Sequence, residues 1–375
     1  MTNILTRGLA ALALTAAVTA PAPAQVIETD NTAYGTTAAE FLLLGAGARG
    51  TALGGAFSAL TSDVTALYYN PGGVALMPRP QLMVSTYSYV ADTRYSWLGI
   101  AFPMAGGQRA IGFSAGTFGF SDQPVTTIEN PDGDGRTYSV AQTFLQGTYA
   151  QNFSDRFSAG ISLKFINDEL GETAAQGFAV DFGTNFHATV GERPIRASFV
   201  IQNLGTTLTH RGAALDVTVL REPPLGVVDI PQEPAEARLK TKDFGLPVMF
   251  RVGVALDVVT QGYTRVTVLS EFTQPNNTRP GAGAGLELGL TNVGNSGFSF
   301  AARGSYTLQP DNDLDPGNGA GFVTQESLGS FTSDGLALGG GIEYARGTFR
   351  VGFDYAWKNL GPLGGTNFLS FSLGW

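Results

Sequence analysis

From Gln81 to Trp375 the chain reads as one extended run after another, and the connections between runs alternate in length. Breaks fall near 91–93, 103–108, 119–137, 152–155, 167–175, 189–193, 204–246, 258–262, 273–281, 291–296, 309–334, 345–348 and 358–366. Every second one, starting with 103–108, is tight, and from 119–137 onward each of the others is roomier. Barrels of the bacterial outer membrane have tight turns on the periplasmic side and long loops outside. The pattern predicts an all-β fold, a transmembrane up-and-down antiparallel β-barrel of about 14 strands. An even number of strands brings both ends of the barrel to the periplasm.

The faces of the strands agree. In 157–165 one side carries Phe157, Ala159, Ile161, Leu163 and Phe165, and the other Ser158, Gly160, Ser162 and Lys164. In 349–357 Phe349, Val351, Phe353, Tyr355 and Trp357 oppose Arg350, Gly352, Asp354 and Ala356. Successive residues of a strand point to opposite sides of the sheet. A soluble sandwich also alternates, but with shorter strands and no regular exchange of long and short loops. Runs of about ten residues match the roughly 9–11 needed to cross a bilayer at a tilt. Parity then assigns Lys164, Asp181, Arg251, Glu287, Arg303, Glu343, Arg350 and Asp354 to the lumen. Aromatic residues near strand ends (Tyr87, Tyr89, Tyr95, Trp97, Tyr263, Tyr306, Tyr344, Tyr355, Trp357) are expected to form interfacial girdles.

Charged residues are only 14% of the chain, against about 25% in soluble domains. Zero cysteines exclude disulfides and thiolate metal sites, and a net charge of −9 argues against a nucleic-acid partner. Residues 1–24 read as a signal peptide: Arg7, an apolar stretch to Ala20, then Ala22-Pro23-Ala24. This implies Sec export, and the barrel pattern implies the outer membrane of a diderm bacterium. The domain order is therefore signal peptide (1–24), an N-terminal segment (25–79) and the barrel (80–375), with long outer loops near 119–137, 204–246 and 309–334.

Catalytic-looking patterns do not survive their context. Gly45-Ala46-Gly47-Ala48-Arg49-Gly50 fits the dinucleotide fingerprint in letters, yet Gly54-Gly55 interrupts any helix and Asp63 comes too early. Gly112–Gly116 fits a nucleophile elbow around Ser114, but alternation continues through it, and His187 and His210 are the only available bases. Of the two, His187 shares the polar parity and His210 is expected to be solvated in the longest loop. The acidic runs Asp132-Gly133-Asp134 and 311–315 suggest loose cation contacts, but the second lacks the glycine and glutamate of a calcium loop. No enzyme activity, cofactor or metal is expected.

Residues 38–75 lack period-2 alternation and show partial helical spacing (Leu53, Ala56, Phe57, Leu60). Asn70-Pro71 predicts a turn before the first strand, because a residue before proline avoids helix. Arg49, the one charge in 41–62, is expected to project into the lumen and pair with Asp181, Glu287, Glu343 or Asp354. Through Glu40-Phe41-Leu42-Leu43, the run GAGARGTALGGAFSAL at 45–60, Asp63 and Leu67–Gly73, the chain resembles the PorV/PorQ family of FadL-like outer-membrane barrels. Members read much like GARALGMGGAF…DA…YWNPAGLA; this chain departs at Gly72, where alanine is usual, and at Val64-Thr65.

The resemblance implies that 25–79 folds inward as a plug or hatch, with Gly45, Gly47, Arg49, Gly54, Gly55, Asn70 and Pro71 as its candidate residues. It also implies that Phe371, Leu373 and Trp375 form the signal read by the barrel assembly machinery. The expected surroundings are outer-membrane lipid and lipopolysaccharide. Three roles remain open: passive transport of small hydrophobic solutes, a non-enzymatic type IX secretion component that binds exported proteins, or a barrel without transported ligand.

Overall fold

A computed structural model describes residues 35–128, 130–220, 234–308 and 335–375. The expected signal peptide, the acidic run 311–315 and the 309–334 loop lie outside the described residues. Fourteen strands form a closed antiparallel barrel. They are β1 Gln81–Ser88, β2 Arg94–Met104, β3 Arg109–Pro124, β4 Thr137–Ser154, β5 Phe157–Leu170, β6 Thr173–Val190 and β7 Arg193–Gly205. The second half comprises β8 Met249–Gln261, β9 Thr264–Pro275, β10 Gly281–Leu290, β11 Phe298–Leu308, β12 Leu336–Arg346, β13 Phe349–Asn359 and β14 Gly365–Gly374. Each strand pairs with the next, and β1 closes on β14 from Gln81↔Gly374 to Thr86↔Leu369. Closure removes the edges that an open sheet would present to lipid.

The pleat sorts the side chains as the alternation requires. Val84, Leu98, Phe113, Leu145, Leu163 and Phe178 are exposed on the outer face, while Ser85, Ser114, Gln146, Ser162 and Lys164 are buried inside. The inner cavity is filled largely by the chain's own segment between Ala39 and Met77, which contributes most of the buried apolar residues.

Four expectations need correction. The connection expected to be roomy at 167–175 is a two-residue turn: β5 runs to Leu170, β6 resumes at Thr173, and Gly171 takes the positive φ of 58°. Strands β3 to β6 are 16, 18, 14 and 18 residues long rather than about ten. At roughly 3.3 Å per residue, 18 residues span about 59 Å, far more than a tilted crossing needs. Tyr87, Tyr95 and Trp97 are not girdle residues; they are buried inside, because they share parity with inward Met83, Ser85 and Ala101. The spacing Leu53–Leu60 does not make a helix: the α-helical turn Ala48–Ala52 stops before Gly54 and Gly55, whose φ values are 67° and 75°.

The 204–246 insertion is also partly structured. Asp216–Leu220 pairs with Pro234–Arg238, and Arg211–Gly212 adds to the end of β6.

Candidate ligand pocket and its floor

The internal segment is seated by backbone-to-side-chain bonds around the barrel wall. Ala48 N–H donates to Ser370 Oγ at 2.6 Å, and Gln146 Nε2 donates to the Leu67 carbonyl at 2.5 Å. The hydroxyls of Ser158 and Ser305 donate to the carbonyls of Gly72 (2.9 Å) and Ala52 (3.0 Å). Such bonds satisfy carbonyls and amides that short helices leave open.

Asn70 is extended, with φ −164°, and its side-chain oxygen accepts from Gly72 N–H to cap the short helix Pro71–Leu76. Its amide donates to the carbonyls of Ser58 (2.9 Å) and Thr184 (3.0 Å). The wall beneath this segment is a pair of register partners, Gly160 and Gly183. A β-carbon on Gly160 would stand 2.4 Å from the Pro71 carbonyl oxygen, and one on Gly183 would stand 2.3 Å from Asn70 Oδ1. The glycines of 45–50 have a related use: a β-carbon on Gly45 or Gly50 would meet the Tyr69 ring or hydroxyl at 2.6 and 2.5 Å. Close packing against Tyr69 accounts for Gly45 and Gly50, while Gly47 takes a positive φ of 76°.

Ionic contacts concentrate on the side of the segment nearer the short turns. Arg49 donates to Glu287 through Nε and Nη2 at 2.8 Å each and to Asp63 at 2.8 Å, and its guanidinium lies 5.0 Å from the Phe57 ring centre. Glu287 also accepts from Arg303 at 2.7 Å, and Arg303 reaches Asp354 at 2.6 Å. Of the four acids expected for Arg49, it meets Glu287; Asp354 belongs to Arg303, Asp181 to Lys164 (2.7 Å) and Glu343 to Arg350 (2.5 Å). Arg251 binds Glu271 at 3.0 Å, Gln202 Oε1 at 2.8 Å and the Gly55 carbonyl at 3.2 Å. A separate cavity of about 240 Å³ on this side is lined by Arg49, His187, Arg196 and Arg265.

On the long-loop side the segment forms the floor of a larger cavity, about 770 Å³. Gly45, Thr51, Gly55 and Tyr69 supply the floor. Tyr87, Tyr89, Phe118 and Phe368 supply aromatic wall, while Phe41 and Phe244 close the side. Tyr87 packs on Phe368 with ring centres 3.9 Å apart, and Tyr89 meets Phe118 edge-on at 6.2 Å. Burial pushes the neighbouring Tyr68 hydroxyl up to about 12.

Polar side chains line the rim as well, among them Glu40, Gln142, Asp168 and His210. Gln142 Nε2 donates to Asp168 at 2.7 Å, and His210 Nε2 lies 3.6 Å from the same carboxylate. His210 is therefore packed against the wall, not solvated in its loop. Ser114 and His187 do not form a pair: each has a buried polar atom without a hydrogen-bond partner, and they line different cavities. Asp134 is taken up by Arg136 at 2.8 Å, whose hydrogen bond holds its carboxyl below the usual range. Among the described residues no cluster of histidine and acidic side chains is arranged to hold a metal. Sequence reasoning overlooked Lys358, which lines the cavity and shares the parity of Arg350 and Asp354 two turns of the pleat earlier.

Residues 13–180, less than half of the chain, match the profile of an uncharacterised protein family, UPF0164. No curated protein matches the sequence. In three dimensions the chain is similar to the CymD monoaromatic hydrocarbon channel, at 12% identity and a TM-score of 0.53, over 88% of this chain and 97% of that one. It is similar to the Ralstonia pickettii toluene transporter TbuX at 12% identity and a TM-score of 0.51, over 89% and 98% of the two chains. The Pseudomonas putida toluene transporter TodX aligns at 12% identity and a TM-score of 0.50, over 88% and 97%. All three are channels or transporters rather than enzymes, and what is shared at this identity is the barrel fold.

Proposed function

We propose that this chain resides in the outer membrane and passes small, mainly hydrophobic solutes inward without energy input. The observation that carries this reading is the aromatic cavity resting directly on the internal segment. Concave sites lined by aromatic residues with few polar groups hold apolar ligands. In this reading 35–79 is a plug. Occupancy of the cavity favours plug conformations that let the solute continue, and the solute's own gradient supplies the drive. Phe371, Leu373 and Trp375 are the assembly signal, and lipid and lipopolysaccharide surround the outer face.

Small apolar compounds cross phospholipid unaided, so the test requires a lipopolysaccharide leaflet. Cells of a host lacking its own hydrocarbon channels, with and without this protein, are given labelled toluene at low concentration. Faster entry with the protein supports the reading; equal entry rejects it.

A PorV-type secretion role is the second reading. It is favoured by the residues 40–73 that resemble that family and by hairpins β3–β4 and β5–β6, which are long enough to rise beyond the bilayer as a docking wall. Recovery of an exported protein bound to the barrel would favour it over solute transport.

A further inference from the structure

Four charged or titratable carboxylate, imidazole and ammonium groups line the outer cavity: Glu40, Asp168, His210 and Lys358. Glu40 and Asp168 are already engaged, and His210 Nε2, which has no hydrogen-bond partner, lies 3.6 Å from Asp168. Glu40 accepts from Asn277 Nδ2 at 2.5 Å and from the Thr37 hydroxyl. Asp168 accepts from Gln142 and faces His210. Lys358 alone has neither an ion pair nor a hydrogen bond among the described residues. Its neighbours across β12 and β14 are Ala337 and Thr366, which bring no charge. A partly enclosed ammonium without a counter-charge is unfavourable in such surroundings, and an anion within the cavity would relieve it.

From this, and resting on the transport reading above, we infer that the cavity takes an aromatic or alicyclic monocarboxylate, its ring among Tyr87, Phe118 and Phe368 and its carboxylate on Lys358 Nζ. A neutral hydrocarbon fills the same aromatic surface but leaves the ammonium unmatched.

The test compares naphthalene and 2-naphthoate as a matched pair, by quenching of protein fluorescence with purified full-length protein in detergent at low salt. The expected result is that native protein binds 2-naphthoate at least tenfold more tightly than naphthalene. Lys358→Met loses this preference, and Lys358→Arg keeps it. All three proteins are checked for a folded barrel by their heat-modifiable migration. Equal or weaker binding of the carboxylate by native protein, or an unchanged preference in Lys358→Met, overturns the inference while naphthalene binding leaves the transport reading standing. Failure of the native protein to bind either probe overturns both.

Discussion

The cavities on either side of the internal segment are built from opposite chemistry. The inner one, about 240 Å³, is bordered by Arg49, Arg196 and Arg265, whose charges are met by Glu287, Asp63 and Asp257. The outer one, about 770 Å³, is walled by aromatic, aliphatic and small residues and leaves one ammonium unmatched. Matched charges at low dielectric hold a geometry, because removing either partner strands the other. Aromatic walls tolerate exchange of one apolar occupant for another. Ion-paired arginines thus border the inner cavity, and the larger, partly aromatic cavity lies on the other side of the segment.

The sharpest way to break this contrast is to unseat the segment itself. Gly160→Val puts bulk against the Pro71 carbonyl, with strand backbone behind it that cannot retreat. Overpacking of this kind costs roughly 1–3 kcal/mol or more. We expect residues 60–75 to become protease-sensitive and single-channel conductance to rise severalfold; native protection and conductance would mean that the seat lies elsewhere. Glu287→Gln tests the inner half. It leaves Arg49 and Arg303 short of a buried counter-charge, and a loss of about 3–5 kcal/mol is expected, visible as a lower temperature of heat-modifiable unfolding. Binding in the outer cavity should change little, and a large change would show the halves to be coupled.

Tyr89→Ala tests the outer half. Loss of its ring contact with Phe118 should weaken an aromatic ligand by about 1 kcal/mol, roughly fivefold, with unfolding unaltered. The smallest effect concerns the loop hairpin 216–220/234–238. Arg238's hydrogen bond holds the Asp216 carboxyl below its ordinary value. That contribution is present above the ordinary carboxylate range, about pH 4, and is lost as pH falls through the lowered value. Amide protection of the hairpin should therefore be steady from pH 7 to 5 and decline only below that range, and Asp216→Asn should remove the decline.

Legibility in the sequence followed the range of the interaction. Parity placed Lys164, Asp181, Arg251, Glu287 and Arg303 in the lumen because the pleat repeats every two residues whatever the neighbours are. The same rule, carried two steps past Asp354, reaches Lys358. Tyr87, Tyr95 and Trp97 lie near strand ends yet face inward, because the pleat and not the position along the strand decides the face. The length of the β5–β6 hairpin is hidden because its upper residues, Asn167 to Gln176, open on three consecutive polar residues and include paired alanines, so alternation lapses there.

Strand number, the even count and the sorting of faces follow from local alternation and need no knowledge of what lies opposite. Which acid meets Arg49, why Gly160 and Gly183 must lack side chains, and that Tyr69, Phe118, Phe368 and Lys358 share one cavity depend on closure of the sheet around the internal segment. That closure brings together residues up to 322 positions apart, as Ala48 and Ser370 are, and no short-range pattern encodes a distance of that kind.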